Sequence, residues 1–272
     1  MEKLAIIDEI NEDKKKKYLQ IDKIPKKDEF YIAYTKDPKK YIKLAYTGKE
    51  ELIFKNERPY PIFKGFLDGK TSVIFISGSR GTGKSLFASG IAEDYHKLNK
   101  PNKIYLVNST SKESDENMKH QKYIQDFDIE TLNNFKILNS TKKDEIDKED
   151  KDAESIFKMY HDCLFIFDDI DNLNKPTQRK VNIFFNLLLE LSRKKNISIV
   201  KISHYETNSH ESRLLLKELD YYICFNDDKL RTNRLLLFYK NIDVDIFDPS
   251  ETYLIFNFKY SYCITNKRIL IL

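Results

Sequence analysis

Five continuous apolar runs recur along the middle of the chain: Ser72-Val73-Ile74-Phe75-Ile76, Lys103 to Val107, Cys163-Leu164-Phe165-Ile166-Phe167, Ile197 to Ile202 and Tyr221 to Phe225. Rich in β-branched and aromatic residues and lacking polar alternation, they predict strands buried on both faces of a parallel sheet. Phe135 to Leu138 and Leu235 to Tyr239 read as weaker runs of the same kind. Between the runs the pattern turns helical. One helix is expected from Lys84 to Leu98, closing at Asn99 and Pro101, one from Gln178 to Lys194 and a short one from Glu211 to Leu219. In the second, Phe184, Phe185, Leu187, Leu188, Leu189 and Leu191 supply a broad apolar stripe. Buried strands alternating with helices predict an α/β fold with a mostly parallel open sheet flanked by helices.

The two ends read differently. Residues 1–70 alternate lysine-rich stretches (Lys14 to Lys17, Lys26 and Lys27, Lys39 and Lys40) with short aromatic segments such as Phe30-Tyr31-Ile32-Ala33-Tyr34, which predicts a ragged region with a few short strands. Tyr253 to Phe258 and Arg268 to Ile271, around Thr265-Asn266, predict a small hairpin. The expected organisation is therefore an N-terminal Lys/aromatic-rich region (1–50), a core (51–248) and a C-terminal β-hairpin extension (249–272). The charged block from Thr141 to Asp152 reads as a solvated loop or helix face.

Composition narrows the class of protein without naming a function. With 272 residues, 40% hydrophobic and 13% aromatic, the chain can bury a core. Its 47 Lys and Arg against 43 Asp and Glu leave +4, which permits polyanion binding and does not predict it. Cys163, Cys224 and Cys263 form no CxxC pair and no zinc spacing, so a disulfide scaffold and a structural zinc are not expected and a reducing intracellular setting fits. Met1 to Asp13 lacks the apolar core of a signal peptide, and no run approaches the ~18 apolar residues of a membrane span. Only eight basic residues are arginine, at 58, 80, 179, 193, 213, 231, 234 and 268, which marks them as places where a guanidinium has a use.

Gly78-Ser79-Arg80-Gly81-Thr82-Gly83-Lys84-Ser85, with Leu86 after it, fits G-x-x-x-x-G-K-[ST] between a predicted buried strand and a predicted helix. Glycines let the backbone curl so that successive N–H groups face phosphates, and the helix N-terminus adds partial positive charge. Lys84 is expected to reach the β and γ phosphates and Ser85 to ligate Mg²⁺. The run Cys163 to Phe167 ends in Asp168-Asp169, a Walker B pattern in which Asp168 holds Mg²⁺ and Asp169 orients or deprotonates the attacking water. Asp171 reads as a cap or loop charge. Ile197 to Ile202 delivers Ser203 and His204 to the same carboxyl edge, where a polar side chain senses the γ-phosphate, holds the water or merely opens a loop. Arg193, at the end of the preceding helix, is either a cation on a helix C-terminus or a finger reaching a neighbouring subunit's γ-phosphate. Arg213, Arg231 and Arg234 are weaker candidates for finger or DNA contact, with plain surface solvation as their default.

GSRGTGKS after SVIFI, then LFIFDDID, then LSRKKNISIVKISHYE resembles the genome-packaging ATPases of poxviruses and giant DNA viruses, within the FtsK/HerA superfamily of P-loop motors, over roughly residues 50 to 245. The resemblance implies a RecA/ASCE-like fold with ATP and Mg²⁺ as cofactors. It also implies an ATP-driven double-stranded DNA translocase that packages a viral genome. Such a protein works as a homo-oligomeric ring, a pentamer or hexamer, docked on a capsid or portal-vertex protein, in the virion or a viral factory in the host cytoplasm. Carried onto this chain, Lys84 and Ser85 bind phosphate and Mg²⁺, Asp168 and Asp169 are the Walker B acids, His204 or Ser203 is the strand-end sensor, and Arg193 is the arginine before that strand. The chain departs from the pattern in having Lys194 where many relatives carry His, and Asp rather than Glu at 169. The alternatives are another P-loop ATPase of the AAA type, against which the β-rich tail speaks, a nucleotide kinase, and a nucleotide-binding scaffold or switch. No base-recognition motif such as N-K-x-D separates ATP from GTP.

Overall fold

The structure, a computed structural model, describes residues 2–9, 17–21, 29–34, 41–45, 50–53, 57–61, 63, 71–111, 113, 115–135, 155–156, 158–204, 210–225, 250–258 and 262–271. Packing divides the chain into two units, one of residues 68–219 and one of residues 1–67 with 220–272.

Among the described residues, the 68–219 unit holds five strands and three α-helices. The strands are β7 (Val73–Ser77), β8 (Lys103–Asn108), β9 (Ile124–Asp126), β10 (Cys163–Asp168) and β11 (Ile197–Ser203); the helices are α1 (Lys84–Leu98), α2 (Lys175–Lys195) and α3 (His210–Glu218). The strands run in the order β7-β11-β10-β8-β9, every neighbouring pair parallel. Every residue of β7, β10 and β11 is buried, as expected for strands covered on both faces. The α/β class and the parallel order therefore follow the apolar runs. β9 is the strand the sequence did not reveal, because three residues, two of them exposed, carry too little apolar signal. Most of Phe135 to Leu138, the block from Thr141 to Asp152 and Leu235 to Tyr239 lie outside the described residues.

α2 starts three residues earlier than expected, at Lys175 rather than Gln178. Asn174 caps it, its side-chain oxygen accepting from the Thr177 N–H at 3.0 Å, and Pro176 falls in the first turn, where no intrahelical donor is lost. Its buried face packs on the sheet through rings. Phe184, fully buried, meets Phe165 at 5.5 Å between centroids and stacks on Phe127 at 5.3 Å, while Phe185 meets Phe167 edge-on at 5.0 Å. Burial of each such ring contributes about 1.5–3 kcal/mol. This packing anchors β10 and β11, whose ends carry the chemistry.

The other unit is antiparallel. β1 (Glu2–Glu9), β2 (Lys17–Ile21), β3 (Glu29–Tyr34), β4 (Tyr41–Ala45) and β6 (Glu57–Pro61) form a sheet of order β4-β3-β2-β1-β6. Its regularity exceeds the few short strands expected. Pro59 and Pro61 lie in β6, at the edge of this sheet, where a strand needs no second row of N–H donors. β5 (Glu50–Ile53), β15 (Arg268–Ile271), β14 (Tyr262–Thr265), β13 (Tyr253–Asn257) and β12 (Tyr221–Phe225) pair in that order. The expected C-terminal hairpin is thus a three-stranded meander that also pairs with the N-terminal region, Arg268 opposite Ile53 and Ile271 opposite Glu50. β12, expected with the core, joins this unit as the antiparallel partner of β13. Pairings across more than 200 residues leave no local trace in sequence. Among the described residues no helix is long and apolar enough to cross a membrane.

Candidate functional site

In a parallel sheet all strand ends of one kind lie on one edge, so Ser77, Asn108, Asp168 and Ser203 share the carboxyl edge. The register makes them neighbours, Ser203 opposite Ser77 and Asp168 opposite Asn108. β11 lies between β7 and β10. The loop after β7 is therefore separated from the acids after β10 by the end of β11, which puts His204 between them.

The loop from Gly78 to Gly83 turns directly into α1. Gly81 at φ 82° and Gly83 at φ 98° occupy left-handed backbone that a side chain would strain, and an added Cβ on Gly81 would meet no atom within 4 Å. Conformation, not crowding, accounts for glycine there. The Ser79 carbonyl accepts from Thr82 Oγ1 at 2.9 Å and from Lys84 Nζ at 2.6 Å, which ties the loop around the lysine. Lys84 is only 5% exposed. Ser79, Arg80 and Gly81 line the exposed rim, and Leu86, 63% exposed, stands outward in the first turn of α1.

Across from the loop, Ser85 Oγ donates to Asp168 Oδ2 at 3.1 Å. Asp168 ends β10 and is almost wholly buried, and burial together with the neighbouring Asp169 and Asp115 charges pushes its carboxyl up from 3.8 to about 6, against the Ser85 hydrogen bond. A hydroxyl converging with a buried carboxylate suits Mg²⁺, which takes one or two protein oxygens and completes its shell with water and phosphate. The donor set fits the ion.

Asp169 has left-handed backbone, φ 48° and ψ 28°, at the point where the strand breaks into a short 3-10 turn over Ile170–Asn172. Its Oδ1 lies 2.9 Å from His204 Nε2, and the other ring nitrogen, Nδ1, lies 3.1 Å from Lys84 Nζ. The structure therefore brings Lys84, Ser85, Asp168, Asp169 and His204 together. Ser203 is buried at the end of β11, and Asp171 accepts from Gln178 Nε2 at 3.2 Å, away from this set.

Arg193 is not part of the cluster. It lies in the last turn of α2, ahead of the amino end of β11, whereas Ser203 and His204 follow the carboxyl end. Seven strand residues separate those ends by about 20 Å. Its guanidinium is 71% exposed and pairs with Glu218 of α3 at 3.4 Å. Arg213 falls in α3, and Arg231 and Arg234 lie outside the described residues. Two site residues carried no motif. Asn108 stands beside Asp168 at the end of β8, and the signal that could have found it is the one that singled out Ser203, a polar residue closing an apolar run. Asp115, whose charge reaches Asp168, sits in a loop and had no such signal.

A model of the ATPase family associated with various cellular activities (AAA) matches residues 74–226, more than half of the chain. Among curated proteins, the chain is similar to "Uncharacterized protein V3" of Sputnik virophage, 28% identical over 162 residues, which cover 58% of this chain and 55% of that protein. The chain thus spans about half the length of the curated relative it matches. Among solved structures, it is similar to the cytoplasmic domain of the Type VII secretion ATPase EccC of Thermomonospora curvata, at 13% identity and a TM-score of 0.50, over 80% of this chain and 28% of that one. It is also similar to B204, the DNA-packaging ATPase of Sulfolobus turreted icosahedral virus, at 13% identity and a TM-score of 0.46, over 72% and 97% of the two chains. An AAA-type ATPase is the alternative that the β-rich tail spoke against. The match ends at residue 226, ahead of that tail, so the tail does not bear on it. With its P-loop, its acid pair and the family's model over most of its α/β unit, the chain belongs to the AAA family of ATPases.

Proposed function

We propose that this ATPase is a double-stranded DNA translocase that packages a viral genome into a capsid, working as a homo-oligomeric ring docked on a capsid or portal-vertex protein. The backbone N–H groups of Gly78 to Ser85 and the Lys84 ammonium bind the phosphates of ATP. Ser85 and Asp168 hold Mg²⁺, which when bound neutralises charge on the phosphoryl oxygens. Asp169 orients the attacking water and accepts its proton. Arg193 supplies the remaining positive charge from a neighbouring subunit.

The observation that carries the ring is the placement of Arg193 at the sheet edge opposite Lys84 and Asp169. At about 20 Å it has no reach to its own chain's phosphates, while an exposed guanidinium on a helix end suits a docking neighbour. The resemblance of the segment from Arg193 to Tyr205 to viral packaging ATPases supports the choice of DNA as the track.

The test is steady-state ATP hydrolysis with and without linear double-stranded DNA, with Asp169→Asn as the control. Stimulation by DNA that vanishes in the variant supports the translocase. Hydrolysis indifferent to DNA overturns it and leaves an AAA-type ATPase with another substrate, a kinase or a nucleotide switch.

A further inference from the structure

Residues 68–219 hold 24 Lys and Arg against 24 Asp and Glu, so any field this unit makes comes from placement rather than from net charge. The carboxyl edge gathers acids: Asp126 ends β9, Asp168 ends β10, and Asp169 and Asp171 follow. The amino edge gathers cations. Lys103 opens β8 opposite Cys163, which opens β10, and β9 starts at Ile124 opposite Ile104. Lys100 lies in the turn that enters β8, Lys122 just ahead of β9 and Lys158 just ahead of β10. All four lysines are exposed, and none has an ion-pair partner among the described residues.

The acids at this edge are already engaged. Asp162 Oδ2 lies 2.8 Å from His161 Nδ1, and its Oδ1 accepts from Asn196 Nδ2 at 2.8 Å, while Glu93 pairs with Lys97. Asp94 is half-buried. Lys194 and Lys195, exposed at the end of α2, extend the positive edge toward β11. Arg193 is not part of this group, because Glu218 of α3 pairs with it.

Charge left uncompensated across three neighbouring strands suits a polyanion. Strands about 4.8 Å apart spread the lysines over about 10 Å, the length of about three phosphates at the 3.4 Å rise of one DNA strand. A subunit interface would look different, since lysine is depleted there and aromatic and apolar side chains form the centre. Among the described residues, the large apolar side chains exposed at this edge are Leu98 and Met159 alone.

We propose that the amino edge of β9, β8 and β10 is a DNA-binding surface on which Lys100, Lys103, Lys122 and Lys158 contact phosphates of the duplex without reading sequence. This rests on double-stranded DNA as the track of the motor and names the surface that grips it. Nucleotide binds at the opposite edge, so the grip on DNA and the binding of ATP are separable by substitution.

The test replaces the four lysines with Gln and titrates a fluorescein-labelled linear duplex at several salt concentrations in the presence of ATPγS. Each lost phosphate contact makes the fall of log K with log salt shallower by about 0.9, so the slope should drop by about 3 to 4 and affinity at ~0.1 M salt by at least about tenfold. ATPγS binding stays unchanged, and the corresponding Lys→Arg variant keeps the parent slope. An unchanged slope in the Gln variant overturns the surface; if the oligomer is lost on sedimentation as well, the edge belongs to a neighbouring subunit instead. A second measurement uses the parent protein, acetylated with an N-hydroxysuccinimide ester with and without saturating DNA and read by mass spectrometry. DNA should protect the four lysines more strongly than Lys175, exposed at the start of α2 on the opposite edge. Equal labelling at both edges overturns the proposal even where the Gln variant fails to fold. Binding of DNA that the Gln variant leaves intact overturns this surface and leaves the translocase standing, whereas a parent protein that binds no DNA at about 50 mM salt overturns both.

Discussion

Ser85 Oγ donates to Asp168 Oδ2 at 3.1 Å, joining the first turn of α1 to the end of β10 across 83 residues of sequence. The two oxygens converge where a cation bound to nucleotide phosphates would lie, and this pair ties the P-loop to the acidic strand. Replacing Ser85 with Ala removes one ligand and leaves the carboxylate. Ser85→Ala is expected to raise the Mg²⁺ concentration needed for half-maximal hydrolysis by at least the roughly tenfold that loss of a ligand's supporting contact costs. A Mg²⁺ titration of ATPase activity checks it; an unchanged midpoint would exclude Ser85 as a ligand.

Asp168 couples stability to pH. Its folded value of about 6 lies above the ordinary 3.8, so the folded state binds the proton more tightly than the unfolded chain. The stabilisation is complete below about pH 4 and is lost as pH rises through 6, a difference of about 3 kcal/mol at most. In the absence of Mg²⁺, Asp168→Asn is therefore expected to melt at a higher temperature than the parent at pH 7.5 and to lose that advantage near pH 4, while hydrolysing no ATP. Mg²⁺ needs the ionised carboxylate, so Mg²⁺ affinity of the parent falls as pH drops below about 6. Thermal melts at both pH values, with and without Mg²⁺, measure both effects.

Arg193→Ala should leave the fold intact, because an exposed pair such as Arg193–Glu218 contributes about 1 kcal/mol or less. Hydrolysis by the assembled protein should nevertheless fall by about 10³-fold or more, the scale of a lost arginine finger. Mixing Arg193→Ala with Lys84→Ala subunits distinguishes action in trans. Junctions that set an intact Lys84 against an intact Arg193 recover part of the activity, whereas action within one chain predicts no recovery at any ratio.

Phe184 tests the coupling of core to site. Its ring fills the space among Phe127, Tyr160, Phe165 and Phe167. Phe184→Ala should destabilise the 68–219 unit by about 3–5 kcal/mol, read as a lowered urea midpoint. A loss below about 1 kcal/mol would mean that the aromatic cluster does not anchor β10.

Much of the ATPase unit is legible in the order of its residues. β7, β8, β10 and β11 follow their apolar runs to within a residue, and α1 matches its expected span, because buried parallel strands and amphipathic helices write their burial into consecutive residues. The start of α2 is displaced because Asn174 and Pro176 look like a break in sequence and act as a cap and a first-turn residue in the helix. β9 and the long-range pairing of β15 with β5 are not legible, since neither has an amphipathic signature of its own.

The sequence by itself determined which groups are present and in what local frame: a glycine-bent loop with Lys84 and Ser85 opening a helix, an acid pair closing one buried strand and Ser203-His204 closing another. These are short-range consequences of residue type and spacing. The tertiary structure alone decided that β11 lies between β7 and β10, and therefore that His204 bridges Lys84 and Asp169 while Arg193 faces the other way. Strand order is set by how helices cover the two faces of the whole sheet, a property of packing summed over the unit that no single segment encodes.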